Sequence, residues 1–183
     1  MADSEAPLKK PLVPNAVHLV RTAQQMNLQL SQMADQKASM LMGATFVVFT
    51  LAVGQLSKGD GGAMAIPIAI LAVAAFLSAV FAVMAVLPKV TRPNGPLADD
   101  ANILFFGNFT SIGEKEFADR IVAQLSDDED VYRVMLRDMY QNGCVLQHKK
   151  YRYLAIAYRT FLIGLGISFV AFVAHFAMHW PRG

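Results

Sequence analysis

Two apolar segments without a charged residue, separated by seven residues, constrain this chain more than any other feature. Residues 38–56 and 64–87 contain no Asp, Glu, Lys, Arg or His. About 20 apolar residues of helix cross a hydrocarbon core of roughly 30 Å. Because lipid cannot hydrogen-bond to backbone amides, a single spanning segment must pair them internally, as a helix does. The linker, residues 57–63, is rich in glycine and suits a tight reversal. These segments predict a transmembrane helical hairpin, and a buried hairpin of a soluble protein is the weaker alternative.

A third apolar segment, residues 153–180, follows the expected cytoplasmic region and predicts a third span. Arg159 lies near its start, where a long side chain can reach the lipid headgroups; an intramembrane functional charge is the alternative. The first two segments are rich in Gly, Ala, Ser and Thr, which let membrane helices approach closely, within one subunit or between subunits. We therefore expect an all-α membrane protein with three transmembrane helices and a cytoplasmic helical region.

The residues before the first span divide into two parts. Residues 1–14 contain three prolines and little apolar mass, which predicts a disordered leader. Residues 15–37 predict a cytoplasmic helix, and no Gly or Pro occurs from Asn15 to Met42, so this helix is expected to continue into the first span. Asp35 and Lys37 lie at the expected membrane boundary, where they anchor the chain in the headgroups or contact the cytoplasmic region.

Residues 90–152 are the expected cytoplasmic region. Within it, residues 102–109 form a short apolar stretch with three phenylalanines, which predicts a short strand or an irregular segment packed away from water. Ser111 and Glu114 have the spacing of a capping box and predict that a helix starts there.

The second half of this region contains an acidic run and a glycine. Residues 127–130 are Asp-Asp-Glu-Asp, which favours the N-terminus of a further helix through the helix dipole; metal binding is the weaker alternative. Asn142 and Gly143 predict a kink in that helix.

The orientation follows from the basic residues. Most lysines and arginines lie in residues 1–37 and 89–152, while Lys58 and Arg182 lie on the opposite side of the predicted spans. Cytoplasmic loops carry an excess of Lys and Arg. We therefore expect the N-terminus and residues 90–152 in the cytoplasm and the C-terminus outside.

Catalytic and metal chemistry find little support in these residues. Cys144 is the only cysteine, the four histidines have no paired spacing, and neither a Walker loop nor a nucleophile elbow is present. We expect no catalytic residues, no metal site and no enzymatic activity. A formal net charge of +2 offers no broad basic field, so a nucleic-acid partner is not expected either.

A small-ligand site in the cytoplasmic region is more plausible. The helix start after Ser111 would present amides and a positive dipole end to an anion. Asn and aromatic side chains can read and stack a base, and Lys or Arg can bind a phosphate. The alternative is that these residues only cap turns and cover the surface. The candidate ligand-binding residues are Asn102, Asn108, Thr110, Ser111, Lys115 and Arg120.

Three stretches together resemble the transmembrane effector family of Pycsar antiphage systems. They are Asp35-Gln36-Lys37-Ala38, Asn102-Ile103-Leu104-Phe105-Phe106-Gly107-Asn108-Phe109 and His148-Lys149-Lys150-Tyr151-Arg152-Tyr153-Leu154. With the order of spans, the resemblance covers nearly the whole chain from Asn15 onward, and its Leu-Phe-Phe-Gly part is the most specific.

The resemblance implies a function that composition does not. In such systems a partner cyclase makes cyclic CMP or cyclic UMP, and the effector impairs the bacterial inner membrane, which causes abortive infection. A single three-span subunit has no evident polar lumen, so we expect homo-oligomers in contact with membrane lipid. The competing hypothesis is a ligand-free accessory or scaffold membrane protein.

Overall fold

The computed structural model describes most of the chain as helix. The described residues are 15–59, 62–88, 97–98, 101–125 and 127–178, so the predicted leader at residues 1–14 lies outside them. No strand occurs in these ranges, and three helices are long and apolar enough to cross a membrane, which confirms the predicted fold class. The chain divides into two compact units: unit 1 comprises Met1–Leu28 and Thr91–Gln141, and unit 2 comprises Gln29–Val90 and Asn142–Gly183.

Helix α1, Ala16–Leu56, contributes to both units. It is unbroken over 41 residues, as the absence of Gly and Pro from Asn15 to Met42 predicted. At 1.5 Å per residue it is about 60 Å long, roughly twice the hydrocarbon thickness of a bilayer. The helix is therefore long enough to contain a span and a segment of similar length outside the bilayer.

The reversal after α1 uses the backbone freedom of glycine. Gly59 has φ of 72° and Gly62 has φ of 37°, values that disfavour residues with a side chain. A short 3₁₀ turn, Gly62–Met64, leads into helix α2, Ala65–Val86, which lies within one residue of the predicted segment at each end. Pro67 lies in the first turn of α2, where its missing amide hydrogen removes no helical bond.

In unit 1, helix α3 is Phe106–Phe109, and helix α4, Glu114–Gln124, follows it. The short strand considered for residues 102–109 is wrong, because the backbone bonds of this stretch are local. The Phe105 amide donates to the Asn102 carbonyl at 3.3 Å, and the Phe109 amide donates to the Phe105 carbonyl at 3.2 Å. These bonds form a turn followed by one helical turn.

Helix α5, Asp128–Val145, begins with the acidic run, as predicted. The first turn contains Asp128, Glu129 and Asp130, whose negative charge complements the positive end of the helix dipole.

Helix α5 continues through Asn142 and Gly143 to Val145, and the kink at these residues stays a prediction. The departure from α geometry comes later, in a π-helical segment, Leu146–Tyr151, which leads directly into helix α6, Arg152–Met178. Glycine permits a bend but does not remove a helical hydrogen bond, so the helix runs from Asp128 to Met178 over 51 residues. Residues 179 and 180 of the predicted third span lie outside the described residues.

The core of unit 2 is built from small side chains, as their frequency in the spans predicted. One buried cluster consists of Ala34, Ala38, Ala85, Leu146 and Leu154, and a second of Leu41, Ala82 and Ala157. Alanine lets the backbones of α1, α2 and α6 approach closely enough for packing without large side chains.

Hydroxyl groups in the spans of unit 2 donate to backbone carbonyls. The Ser78 hydroxyl donates to the Ala157 carbonyl at 2.8 Å, and Ser168 donates to the Pro67 carbonyl at 2.7 Å. Both bonds join α2 to α6. Within α1, the Thr45 hydroxyl donates to the Leu41 carbonyl at 2.7 Å.

Candidate functional site

Asn102 is the buried centre of the loop that precedes α3 in unit 1. Its side chain is only 2% exposed, and its amide nitrogen donates to a carboxylate oxygen of Asp138 in α5 at 3.1 Å. Its amide oxygen accepts from the Leu104 backbone amide at 3.0 Å, which is an Asx turn. Asn102 therefore shapes the loop and ties it to α5.

The neighbouring polar candidates also bond within this loop. The Asn108 side chain donates to the Asn102 carbonyl at 2.9 Å. The Thr110 hydroxyl donates to the Phe106 carbonyl at 2.7 Å, and the Ser111 hydroxyl donates to the Asn108 carbonyl. The structure thus places these four candidates in one loop, in which hydrogen bonds join Asn102, Asn108 and Ser111.

The capping box predicted from Ser111 and Glu114 is wrong. The N-cap of α4 is Gly113, which makes no side-chain capping bond, and the Ser111 hydroxyl is used within the preceding turn. The first turn of α4 contains Glu114 and Glu116, whose carboxylates oppose the binding of an anion at this helix end. The expected anion contact with the helix amides is thereby weakened.

The two basic candidates lie on α4 and differ in their surroundings. Lys115 is exposed. Arg120 forms an ion pair with Glu116 at 3.0 Å and donates to the Leu97 carbonyl at 3.2 Å. Arg120 is thus held in place by its own chain, whereas Lys115 extends into solvent.

Phenylalanines connect α3 to α4, and one of them is accessible. The rings of Phe109 and Phe117 have centroids 5.1 Å apart, which places α3 beside α4. The ring of Phe106 is 52% exposed, although it contacts Phe105 at a centroid distance of 5.1 Å. The expectation that all three phenylalanines of residues 102–109 avoid water is wrong for Phe106.

Sequence reasoning did not identify Asp138 and Glu116 as partners of the candidate residues. Glu116 and Arg120 are four residues apart on one helix, so their spacing predicts that they pair. Glu129 and Arg133 form a similar pair on α5. The hydrogen bond and negative charge of Glu129 raise the pKa of the Arg133 guanidinium. Asp138 is 36 residues from Asn102, and no local pattern indicates that contact.

Unit 2 contains a separate polar cluster around the π-helical segment. The Lys150 ammonium group donates to the Ser31 hydroxyl and to an Asp35 carboxylate oxygen, each at 2.7 Å, and Lys149 donates to the Leu87 carbonyl. The other carboxylate oxygen of Asp35 is buried without a hydrogen-bond partner among the described residues. The contact of Asp35 with the predicted cytoplasmic region is therefore observed, and its anchoring in the headgroups stays a prediction.

An apolar groove of about 540 Å³ lies between α2 and α6 in unit 2. Its lining consists of Ala69, Ile70, Val73, Ala74, Thr160, Ile163, Gly164 and Ile167. Only one of these residues has a polar side chain, so the groove does not suit a nucleotide, whose phosphate requires charged or hydrogen-bonding partners.

Comparison with known families matched nearly the whole described chain. The model of a family described as the Pycsar effector protein domain matches residues 18–178, which include α1 to α6 almost entirely. No curated protein and no solved structure gives a match to the chain.

Proposed function

Since this chain belongs to the Pycsar effector family, and is therefore an antiphage defence effector, we propose that it responds to a cyclic pyrimidine mononucleotide and then impairs the inner membrane. Membership of a Pycsar system implies a cyclic nucleotide from a partner cyclase. The activating ligand in this proposal is cyclic CMP or cyclic UMP. The family match over residues 18–178 carries the proposal, and the three helices able to span a membrane support it.

The proposed topology uses the distribution of charge along the chain. Parts of α1, α2 and α6 cross the membrane, with the N-terminus and residues 90–152 in the cytoplasm and the C-terminus outside. This orientation keeps most lysines and arginines on the cytoplasmic side. The nucleotide made in the cytoplasm then meets the candidate residues directly.

In the proposed site, the loop before α3 and the start of α4 bind the nucleotide. The base stacks on the exposed ring of Phe106 and hydrogen-bonds to Asn108, since aromatic faces stack bases and amides read their edges. Lys115 and Arg120 bind the cyclic phosphate. Asn102, Thr110 and Ser111 hold the loop that presents these groups.

Helix continuity supports a direct effect on the spans. Helix α1 is unbroken from Ala16 to Leu56, and the helix that contains α5 and α6 is unbroken from Asp128 to Met178. Rearrangement at the cytoplasmic end of either helix therefore changes the packing of its span. Permeabilisation in this proposal requires several subunits, because the spans of one subunit are mainly apolar.

The test is membrane potential in inverted inner-membrane vesicles that contain the full-length protein, followed with a voltage-sensitive dye. We expect depolarisation with only one of cyclic CMP and cyclic UMP, and none in vesicles that lack the protein. If neither nucleotide acts while the protein is verified in the membrane, the proposal fails, and a ligand-free accessory role replaces it.

A charge variant tests the proposed site in the same vesicles. Replacing Lys115 and Arg120 together by Gln should raise the half-activating nucleotide concentration about tenfold or more, because hydrogen bonds to charged groups contribute about 1.5–3 kcal/mol each. The control replaces Arg21 and Arg133, two exposed arginines, by Gln and removes the same charge. An unchanged response in the first variant would place the phosphate site elsewhere.

A further inference from the structure

Two exposed arginines lie on one side of α6, near the cytoplasmic end of the proposed third span. They are Arg152 and Arg159, and neither guanidinium has a hydrogen-bond or ion-pair partner among the described residues. Residues seven apart share a face of an α-helix and lie about 10 Å apart along its axis. Asp35 is the one side-chain carboxylate among the described residues of unit 2, and it pairs with Lys150. The two arginines therefore present a positive charge that their own chain does not neutralise.

The same face of α6 continues into the apolar groove. Ile163 follows Arg159 by four residues and lines the groove, and Ile167, four residues further, lines it as well. Both isoleucines are exposed, by 61% and 52%. Residues four apart lie one above the other on a helix. The arginines and the groove are therefore aligned along one side of α6, with the charge at the end nearer the cytoplasm.

The close packing of α2 on α6 forms the floor of the groove. Ala74 and Gly164 line it and are buried, whereas Val73, on the α2 side, is 59% exposed. The volume of about 540 Å³ lies within the roughly 300–1,000 Å³ of usual ligand pockets. Small residues in the floor and branched apolar residues at the sides suit a hydrocarbon chain, which gains dispersion contacts along its length.

The depth of the groove matches the acyl layer of the cytoplasmic leaflet. Helical Cα–Cβ bonds tilt toward the N-terminus, which for α6 is the cytoplasmic end in the proposed topology. The Arg159 side chain is thus directed toward the headgroups, which its long stem can reach. The groove residues of α6 lie within the next eight positions, about 12 Å further into the membrane. One leaflet accounts for half of the roughly 30 Å hydrocarbon core, so acyl chains surround this depth.

Charge complementarity favours a phospholipid with a net negative headgroup as the occupant. Guanidinium groups bind phosphate oxygens bidentately, and basic pockets between transmembrane helices on the cytoplasmic side bind anionic headgroups. A free phosphate would leave the groove unoccupied. An apolar helix would leave both arginines without an anion.

We propose that α2 and α6 form a site for one anionic phospholipid of the cytoplasmic leaflet. The phosphate binds Arg152 and Arg159, and an acyl chain lies in the groove. This inference rests on the membrane placement in the proposed function, and it gives Arg159 a specific lipid partner instead of general contact with headgroups.

Native mass spectrometry of the full-length protein in a nonionic detergent counts the lipids bound to each 20.0 kDa chain. Phosphatidylglycerol and phosphatidylcholine with the same acyl chains are titrated separately. We expect one phosphatidylglycerol per chain, with a half-saturating concentration about tenfold lower than that of phosphatidylcholine, because only its headgroup has a net charge. Equal half-saturating concentrations would overturn the proposal.

A charge variant tests the headgroup contact. Arg152→Gln with Arg159→Gln should raise the half-saturating concentration of phosphatidylglycerol about tenfold and leave that of phosphatidylcholine within about twofold. The control replaces Arg21 and Lys37, two exposed basic residues of α1, by Gln and removes the same charge. An equal loss in the control would show diffuse attraction of anionic lipid and would overturn the site.

A blocking variant tests the acyl-chain contact. Val73→Trp should raise the half-saturating concentration of phosphatidylglycerol about fivefold, because its ring occupies the groove and removes apolar contact area from the lipid. Val83→Trp, at an exposed position of α2 outside the groove lining, is the control and should bind as the wild type does. Ile167→Trp provides a second blocking variant, and melting temperatures by circular dichroism verify that each variant folds. Wild-type affinity in the folded blocking variants would refute the acyl-chain contact.

Two further results would assign these features to other occupants. Excess glycerol phosphate should not displace phosphatidylglycerol, since a headgroup alone does not occupy the groove. Displacement would show that the arginines bind a free phosphate, and lipid-free dimers that Val73→Trp abolishes would assign the groove to a second copy of the chain. Either result would overturn the proposal.

The nucleotide response separates this inference from the proposed function. Selective binding of phosphatidylglycerol without nucleotide-dependent depolarisation would refute the function and leave the lipid site standing. Nucleotide-dependent depolarisation in a protein with equal affinity for both lipids would refute the lipid site alone.

Discussion

Asn102 combines burial with three different hydrogen-bond roles. Its side-chain amide donates to Asp138, its side-chain oxygen accepts from the Leu104 amide, and its carbonyl accepts from the Asn108 side chain. Buried polar groups stabilise a fold only when they are paired, and removing one partner leaves the other unsatisfied. The loop that presents the proposed nucleotide site therefore depends on this residue more than on the exposed candidates.

We expect Asn102→Ala to lower the free energy of unfolding by about 1–3 kcal/mol, because Asp138 and the Leu104 amide lose their partner. Thermal unfolding of the purified protein in detergent, followed by circular dichroism, measures the effect as a lower melting temperature. Asn142→Ala is the matched control, since Asn142 is exposed on α5. Equal melting temperatures for the two variants would contradict a structural role for Asn102.

Residue-level contacts were predictable only where they are local. The pair of Glu116 and Arg120 follows from the four-residue spacing on a helix. The bond between Asn102 and Asp138, and the bond from the Gln24 side chain to the Met135 carbonyl at 3.4 Å, join residues far apart in sequence. Their positions depend on how helices pack, which periodicity does not specify.

At the scale of elements, the contact between α2 and α6 depends on the absence of a side chain at Gly164. A Cβ atom added there would lie 2.0 Å from the Cβ of Ala74, well inside van der Waals contact. Ala74 is a short residue on a packed helix and cannot move aside alone. The two helices would have to separate to accept any larger residue.

Gly164→Ala should therefore destabilise the packing of α2 on α6 by about 1–3 kcal/mol, the usual effect of overpacking. Gly166→Ala, two residues later on the same helix, is the control because its added Cβ has open space and because alanine favours helix. Melting temperatures in detergent compare the two variants. A Gly166 variant as unstable as the Gly164 variant would indicate a general intolerance of α6 instead of this contact.

The helices themselves were largely predictable, and their ends were less so. The length of a segment without charged residues predicts a span well, because the bilayer excludes both charged side chains and unpaired backbone amides. The capping box failed because the Ser111 hydroxyl has a nearer acceptor, the Asn108 carbonyl. The π-helical segment, Leu146–Tyr151, has no sequence signature of its own. Its Lys149 contacts the end of α2 and its Lys150 contacts α1, and both partners are distant in sequence.

At the scale of the whole molecule, the proposed orientation in the membrane rests on the distribution of charge alone and can be tested directly. In a Cys144→Ser background, Ser57→Cys in the turn between α1 and α2 should react with an impermeant maleimide in intact spheroplasts. Lys115→Cys should react only after the membrane is opened, because the proposed topology puts it in the cytoplasm. Labelling of Lys115→Cys in intact spheroplasts, or protection of Ser57→Cys, would reverse the assigned orientation.

The hydroxyl groups of the spans have a consequence for an uninfected cell. Thr45, Ser78 and Ser168 direct their hydrogens to carbonyls of their own chain. Ions therefore find no continuous line of polar groups along these hydroxyls in a single copy, and we expect such a copy to be electrically silent. A bacterium can then store the protein without draining its proton-motive force. In the proposed function, damage to the membrane then requires both the nucleotide signal and the meeting of several copies.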